Sequence, residues 1–217
     1  MGADVNYDFS LVTGLILAGG RASRMNNVDK GLQQLNGRSL VEHVIARMQP
    51  QVGTLALNAN RHLEHYAELG FPVWPDNGVS VTAHGEPDFN GPLAGVETGL
   101  IHCRTPYLLI APCDCPFLPA DLTLRLMASL LSAPEQCDIA VACTGDPQAP
   151  KLQPVFCLMK ISMRHQLQQY LHSGGRKMDG WYGDAAIIRV HFEEDSAFQN
   201  INTPEELRMA STSRFEN

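Results

Sequence analysis

The stretch Thr13-Gly14-Leu15-Ile16-Leu17-Ala18-Gly19-Gly20 passes from an apolar segment directly into a pair of glycines. A short apolar run that ends in a turn predicts a strand over residues 13–18, buried on both faces as in a parallel sheet. Ligands of open parallel sheets bind beyond the carboxyl ends of the strands. The glycine pair therefore lies where a binding site is expected.

The rest of the chain alternates between apolar strands and amphipathic helices. The pattern predicts further strands over residues 53–57, 71–74, 107–111, 139–143, 155–159 and 186–192. It predicts helices over residues 39–49, 63–69, 93–103, 120–131, 163–172 and from 204 onward. Thr203, Pro204 and Glu206 give the last helix a capping box. This order predicts an α/β fold, in which a single doubly wound, mostly parallel sheet carries helices on both faces.

Size and charge narrow the possible functions. The chain has 217 residues, of which 44% are hydrophobic, so we expect residues 11–217 to form a single domain after a flexible N-terminal tail, residues 1–10. The formal net charge of −7 gives no general basic field, which argues against nucleic acid as a partner. Neither a membrane-spanning run nor an export signal is recognisable, so we expect a cytoplasmic protein without a membrane partner.

Basic residues follow the glycine pair closely. Arg21, Arg24 and Lys30 suit a triphosphate, and the exposed N–H groups of a glycine turn form a concavity that holds anions. The spacing matches neither the dinucleotide-binding fingerprint nor the P-loop. An ordinary turn with solvated basic residues would leave the same pattern, so this segment alone does not decide the function.

A lone aspartate follows the predicted strand over residues 107–111. Asp114 lies at the carboxyl end of that strand, where a magnesium ligand beside a phosphate site is expected. A helix cap is the structural alternative, and Asp121 fits that role better. The flanking Cys113 and Cys115 are interpreted as buried thiols, because their spacing does not suit a soft-metal site.

The longer pattern Leu17-Ala18-Gly19-Gly20, Arg24-Met25 and Asp29-Lys30-Gly31 resembles the signature of nucleotidyltransferases with a Rossmann-like fold. Within that superfamily, the chain resembles the molybdenum cofactor guanylyltransferases. The resemblance extends to Asn58-Ala59-Asn60-Arg61, Asp76, Gly91-Pro92-Leu93-Ala94-Gly95, Cys113-Asp114-Cys115-Pro116 and Asn200-Ile201-Asn202-Thr203-Pro204-Glu205-Glu206. These segments cover most of the chain, and their fixed order is more specific than any one of them.

This resemblance implies an enzyme that transfers GMP from GTP to the terminal phosphate of molybdenum-molybdopterin and releases pyrophosphate. It implies Mg²⁺ as the cofactor, with Mn²⁺ as a substitute. The implied partners are GTP, molybdenum-molybdopterin, and acceptor molybdoenzymes or their chaperones. Two alternatives remain. One is a related transferase that uses CTP on the same pterin, or an NTP on a sugar or alcohol phosphate. The other is a non-catalytic nucleotide-binding regulator on the same fold.

The resemblance also assigns roles to individual residues. It assigns catalysis to Arg24, Lys30 and Asp114, with Asp114 as the metal ligand. It assigns nucleotide binding to Leu17, Ala18, Gly19, Gly20, Lys30, Asn58, Asp76 and Asp114. An aspartate can accept from both N1–H and N2–H of guanine, and whether Asn58 or Asp76 contacts the base stays open. Arg176, Lys177 and Asn202 are candidates for the second substrate; a solvated basic turn would explain the first two equally well.

Overall fold

The computed structural model describes residues 7–19, 29–77, 91–183 and 185–212. Within them, the strands are β1 (Val12–Leu17), β2 (Gln34–Leu35), β3 (Arg38–Ser39), β4 (Thr54–Asn58), β5 (Val73–Trp74), β6 (Tyr107–Pro112), β7 (Ile139–Thr144), β8 (Lys151–Lys160) and β9 (Ile187–His191). The α-helices are α1 (Leu40–Met48), α2 (Leu63–Ala67), α3 (Pro92–His102), α4 (Leu122–Leu131), α5 (Met163–His172), α6 (Met178–Gly183) and α7 (Pro204–Thr212).

A single large sheet organises the fold. In the described part of the chain, seven strands join in the order β5-β4-β1-β6-β8-β7-β9. Only β8 in this sheet runs antiparallel to its neighbours β6 and β7, and the other neighbouring pairs are parallel. The prediction of a mostly parallel, doubly wound α/β sheet is confirmed. Because β5, β4, β1 and β6 are parallel, their carboxyl ends lie along one edge.

Helices cover both faces of this sheet, as predicted. Helices α1 and α4 pack on one face, where Val44 and Leu126 join Ile16 of β1 in the core. Helices α3, α5 and α6 pack on the other face, where Val96 joins Leu15 of β1. Burial of one such aliphatic side chain contributes about 1.5–3 kcal/mol. The sheet between the two clusters is thus a rigid base for the loops at its edge.

Helix α3 approaches the sheet unusually closely, through two glycines. A Cβ on Gly99 would lie 2.5 Å from Leu15 Cδ2, and a Cβ on Gly95 would overlap the Asn58 side chain. Real Cβ atoms essentially never lie within 3.0 Å of another atom, so a side chain at either position would force its neighbour to shift. These glycines therefore bring the start of α3 against the carboxyl ends of β1 and β4.

Several elements differ from the prediction. The hairpin β2–β3 was not predicted, although Asn36 and Gly37 form its turn with φ angles of 51° and 82°. Asn-Gly is the preferred pair at such a turn, but strands of two residues show no hydrophobic period. Helix α6 was also missed, because a six-residue helix with two glycines is too short to show a helical period. Strand β8 extends over Lys151–Lys160, beyond the predicted 155–159.

The ends of the described chain are tied to the fold. Tyr7 and Phe9 pack against the core, and Asp8 accepts a hydrogen bond from the Ser10 amide at 3.0 Å. The division into a tail over residues 1–10 and one domain stays a prediction. At the other end, Thr203 and Glu206 exchange two hydrogen bonds of 3.1 Å, which confirms the capping box of α7. Among the described helices, none is both long and apolar enough for a bilayer.

Candidate functional site

The predicted site residues that the structure describes gather at the carboxyl edge of the sheet. The amide of Ala18 donates to the carbonyl of Asn58 at 2.7 Å, which ties the chain beyond β1 to the end of β4. The amide of Cys113 donates to the carbonyl of Leu17 at 3.0 Å, which ties β6 to the same point. Gly19 continues along this edge, where a Cβ would lie 2.9 Å from Asn60 Nδ2. Three strand ends therefore meet around one small region.

A cluster of amides and one carboxylate lies at the β4 and β5 side of this edge. Asn58 Nδ2 donates to the carbonyl of Trp74 at 2.9 Å and to Asp76 Oδ1 at 2.8 Å. Asn60 Nδ2 donates to Asp76 Oδ2 at 2.8 Å, and the Asp76 amide donates back to Asn60 Oδ1 at 2.8 Å. Both carboxylate oxygens of Asp76 are thus fixed by neutral donors.

Asn58 and Asp76, the two predicted base-contacting residues, differ in the hydrogen-bonding capacity that remains available to a ligand. Asn58 is 2% exposed, both hydrogens of its amide are used within the protein, and its Oδ1 faces Gly19 and Gly95. Asp76 is partly exposed. A carboxylate has about four acceptor directions, so each Asp76 oxygen can accept another donor. Asp76 is the group at this corner that can bind a ligand with two N–H donors.

A cation and a buried carboxylate face each other at the end of β6. Lys30 Nζ lies 3.4 Å from Asp114 Oδ2 and also donates to Asn202 Oδ1. Asp114 is 6% exposed. Burial raises the pKa of its carboxyl above the usual range, and the Lys30 ammonium opposes that shift. The charge of Asp114 is therefore poorly compensated, which suits a position that receives a further cation.

The cysteines beside Asp114 are buried thiols. Burial raises the pKa of both the Cys113 and the Cys115 thiol well above the ordinary value, and a thiolate is the form that binds metal. Cys115 Sγ instead donates to Asn200 Oδ1 at 3.1 Å. Among the described residues, no group of three or more His, Cys, Asp or Glu is placed to hold a metal. A cation bound at Asp114 would take its other ligands from water and substrate oxygens.

The candidates for a second substrate lie in two different clefts. Asn202 borders a cleft of about 660 Å³, and its side-chain oxygen accepts a hydrogen bond from Lys30. Arg176 borders a smaller cleft of about 180 Å³ against α3. The Arg176 guanidinium donates to the carbonyls of Leu171 and Gly175, at 2.9 and 2.7 Å, and so closes the end of α5. Lys177 is exposed in the same loop. The structure does not bring the three candidates together.

Three predicted residues of the glycine turn lie outside the described part of the chain. These are Gly20, Arg21 and Arg24, and their roles stay predictions. Residues 78–90 also lie outside the described part of the chain.

Sequence reasoning assigned no separate role to Asn60, Asp29 or Tyr66. The sequence did contain a signal for a role of Asn60. Residues two apart in an extended segment point to the same side, so the spacing predicts that Asn60 lies beside Asn58. Asp29 and Tyr66 form a hydrogen bond of 2.7 Å. They are far apart in the chain, and no local pattern predicts that contact.

Comparison with known proteins identifies the family of this chain. The MobA-like NTP transferase domain family matches residues 14–186. A molybdenum cofactor guanylyltransferase of Bordetella pertussis is 48% identical over 91% of this chain and 95% of the relative. One from Ralstonia nicotianae is 46% identical over 94% of this chain and 97% of the relative.

Solved structures share the fold at low identity. The molybdopterin-guanine dinucleotide biosynthesis protein A from Archaeoglobus fulgidus has a TM-score of 0.67 and 20% identity, over 92% of this chain and 96% of that one. The 2-C-methyl-D-erythritol 4-phosphate cytidylyltransferase from Thermus thermophilus has a TM-score of 0.62 and 16% identity, over 91% and 96%. These structures support the fold alone. The family match and the close relatives together show that the chain is a nucleotidyltransferase that belongs to the molybdenum cofactor guanylyltransferases.

Proposed function

We propose that this protein transfers GMP from GTP to the terminal phosphate of molybdenum-molybdopterin and releases pyrophosphate. The observation that carries the proposal is the placement of two different carboxylates, Asp76 and Asp114, along one sheet edge. Asp76 is oriented by amides, and Asp114 faces a cation. The names of the relatives support the substrate class, and the geometry supports the part that we propose for each residue.

In this proposal, Asp76 recognises the base. Guanine presents two adjacent N–H donors, N1–H and N2–H, which one oriented carboxylate can accept together. Adenine and cytosine do not present that pair, so Asp76 would be left desolvated without donors. Asn58 and Asn60 hold the carboxylate in place and do not contact the base themselves.

Lys30 and Asp114 act on the phosphates. The acceptor phosphate attacks the α-phosphate of GTP, and the bond between the α- and β-phosphates breaks as pyrophosphate leaves. Such transfers need positioning and neutralisation of charge rather than a covalent intermediate on the protein. Lys30 supplies a positive charge beside the reacting phosphates, and the predicted Arg24 supplies another.

The residues at Asp114 fit a magnesium ion. Mg²⁺ often uses one or two protein carboxylates and completes its octahedron with water and phosphate oxygens. Asp114 is buried and anionic, and it faces the Lys30 ammonium at a long hydrogen-bond distance of 3.4 Å. When bound, the ion neutralises developing charge on the phosphates. Mn²⁺ would substitute at the same ligands.

The acceptor approaches from the side of Asn202. Its terminal phosphate has to reach the α-phosphate beside Lys30, and Asn202 contacts Lys30 directly. The cleft that Asn202 borders has room for a pterin. Arg176 and Lys177 are second candidates for contacts with the acceptor. Acceptor molybdoenzymes or their chaperones, in the cytoplasm, are the recipients that we propose for the product.

Turnover with defined substrates tests the proposal. Purified protein, Mg²⁺ and molybdenum-molybdopterin are incubated with GTP, CTP, ATP or UTP, and pyrophosphate and the dinucleotide product are measured. We expect GTP to be used best. A preference for CTP would favour the related cytidylyl transfer on the same pterin. Nucleotide binding without pyrophosphate release would favour a non-catalytic regulator.

A further inference from the structure

A buried tyrosine contacts the segment that carries Lys30. Tyr66 lies on α2, its side chain is 0% exposed, and its hydroxyl donates to Asp29 Oδ1 at 2.7 Å. The same carboxylate oxygen accepts the amide of Gly31 at 3.1 Å. Asp29 is itself 7% exposed. A buried carboxylate with these two donors is an anchor inside the protein rather than a surface charge.

This anchor brackets Lys30 in the chain. Asp29 precedes the lysine and Gly31 follows it. The Asp29 side-chain oxygen that accepts from Tyr66 also accepts from the Gly31 amide, so the two residues on either side of Lys30 are joined to each other. The carbonyl of Gly31 also accepts the Val41 amide of α1 at 2.9 Å. A Cβ on Gly31 would lie 2.5 Å from Tyr66 Oη and 3.1 Å from Cys113 Sγ. The backbone at Lys30 is therefore fixed from two sides, and its ammonium is directed to Asp114 and Asn202.

The position of Tyr66 also links the two parts of the site. Helix α2 follows the Asn58–Asn60 segment, whose amides hold Asp76. Through Tyr66, the same helix holds the segment of Lys30. Since burial raises the pKa of the Tyr66 hydroxyl, that group stays protonated and remains a donor to Asp29.

We propose that Tyr66 is a positioning residue for nucleotidyl transfer, which acts through Asp29 to hold the Lys30 ammonium at the reacting phosphates. The inference rests on the proposed role of Lys30. Without the hydroxyl, Asp29 loses one of its buried donors, and Lys30 samples positions away from Asp114. Ground-state binding through Asp76 is unaffected, so the loss falls on kcat rather than on the KM for GTP.

Tyr66→Phe tests this role, because it removes the hydroxyl and keeps the packed ring. We expect kcat to fall about tenfold and the KM for GTP to change less than about twofold. Tyr182→Phe is the matched control. Its hydroxyl is also buried and donates to the carbonyl of Pro154 at 2.6 Å, but Tyr182 belongs to the core on the other face of the sheet from Tyr66. Tyr182→Phe should keep the wild-type kcat, even where thermal denaturation shows a similar stability loss.

A double-mutant cycle with Lys30→Ala separates positioning from a general structural effect. In the Lys30→Ala background, Tyr66→Phe should lower kcat no further. An equal loss in both backgrounds, or a wild-type kcat for Tyr66→Phe alone, would overturn the inference while the role of Lys30 stands. If Lys30→Ala itself leaves turnover unchanged, the proposed role of Lys30 fails, and the inference fails with it.

Discussion

Asp76 and Asp114 lie on the same sheet edge but in opposite electrostatic surroundings. Asp76 is partly exposed, and each of its oxygens accepts a neutral amide at 2.8 Å. Asp114 is 6% exposed and faces the Lys30 ammonium at 3.4 Å. Neutral donors orient a carboxylate without adding an opposite charge, whereas a nearby cation compensates part of the negative charge.

In the proposed function, this difference separates recognition of the base from the transfer chemistry. An oriented carboxylate with acceptor capacity to spare discriminates between ligands by their pattern of donors. A buried carboxylate with incomplete charge compensation attracts a cation, which then acts on phosphate oxygens. A single edge can therefore select the nucleotide at β4 and β5 and perform the transfer at β6.

The largest effect is expected at Asp114. Asp114→Asn keeps the volume and one acceptor oxygen but removes the charge, so magnesium affinity and charge stabilisation during attack are both lost. We expect kcat to fall by roughly a thousandfold or more, as measured by pyrophosphate release under saturating GTP.

The fold should survive this change. A raised carboxyl pKa means that the folded protein binds the proton more tightly than the unfolded chain, so ionisation at neutral pH costs stability. Removal of the charge should thus leave Tm near or above that of the wild type. Asp121→Asn, at an exposed aspartate before α4, is the control and should keep full activity. Unfolding of Asp114→Asn would show that Asp114 is structural.

A smaller and different effect is expected at Asp76. Asp76→Asn replaces one acceptor oxygen with a donor, which opposes the N–H groups of guanine. We expect the KM for GTP to rise about tenfold to a hundredfold, and the preference for GTP over ATP to shrink, with little change in kcat. Steady-state kinetics with both nucleotides measures this.

Asn60→Ala perturbs the Asp76 carboxylate less than Asp76→Asn does. It removes one amide from Asp76 but leaves the carboxylate, so the KM for GTP should rise only several-fold. A KM for GTP that stays at the wild-type value in both variants would exclude Asp76 as the base-contacting residue.

The smallest effect is expected in the loop of Arg176 and Lys177. Lys177→Ala should raise the KM for the pterin substrate by about twofold to fivefold and leave the KM for GTP unchanged, since an exposed cation is screened. Asn202→Ala, at the cleft beside Lys30, should raise the same KM more. Steady-state kinetics at varied pterin concentration measure both effects. A larger KM increase for Lys177→Ala than for Asn202→Ala would indicate that the acceptor binds on the side of α3.

Much of this edge could be predicted from the sequence. Apolar runs and their carboxyl ends placed Gly19, Asn58 and Asp114 at one edge, because parallel strands must end together. The capping box of α7 was predicted because its residues are close in the chain. The first result depends on a general rule of sheet topology, and the second depends on spacing within a few residues.

The remaining features depend on contacts between distant segments. The hydrogen bond of Tyr66 with Asp29 joins two elements that share no pattern. Asn58 donates both of its amide hydrogens, to Trp74 and Asp76, and composition and spacing do not show that this donor capacity is used up. The antiparallel insertion of β8 between β6 and β7 likewise follows from three-dimensional packing.

The magnesium dependence of GTP affinity tests the division between the two carboxylates most directly. Calorimetric titration of GTP and ATP, with and without Mg²⁺, is performed on the wild type, Asp76→Asn and Asp114→Asn. The account predicts that Asp114→Asn loses the gain in affinity from Mg²⁺ but keeps the preference for GTP, and that Asp76→Asn keeps the gain but loses the preference. The reverse assignment, or the loss of both properties in each variant, would contradict it.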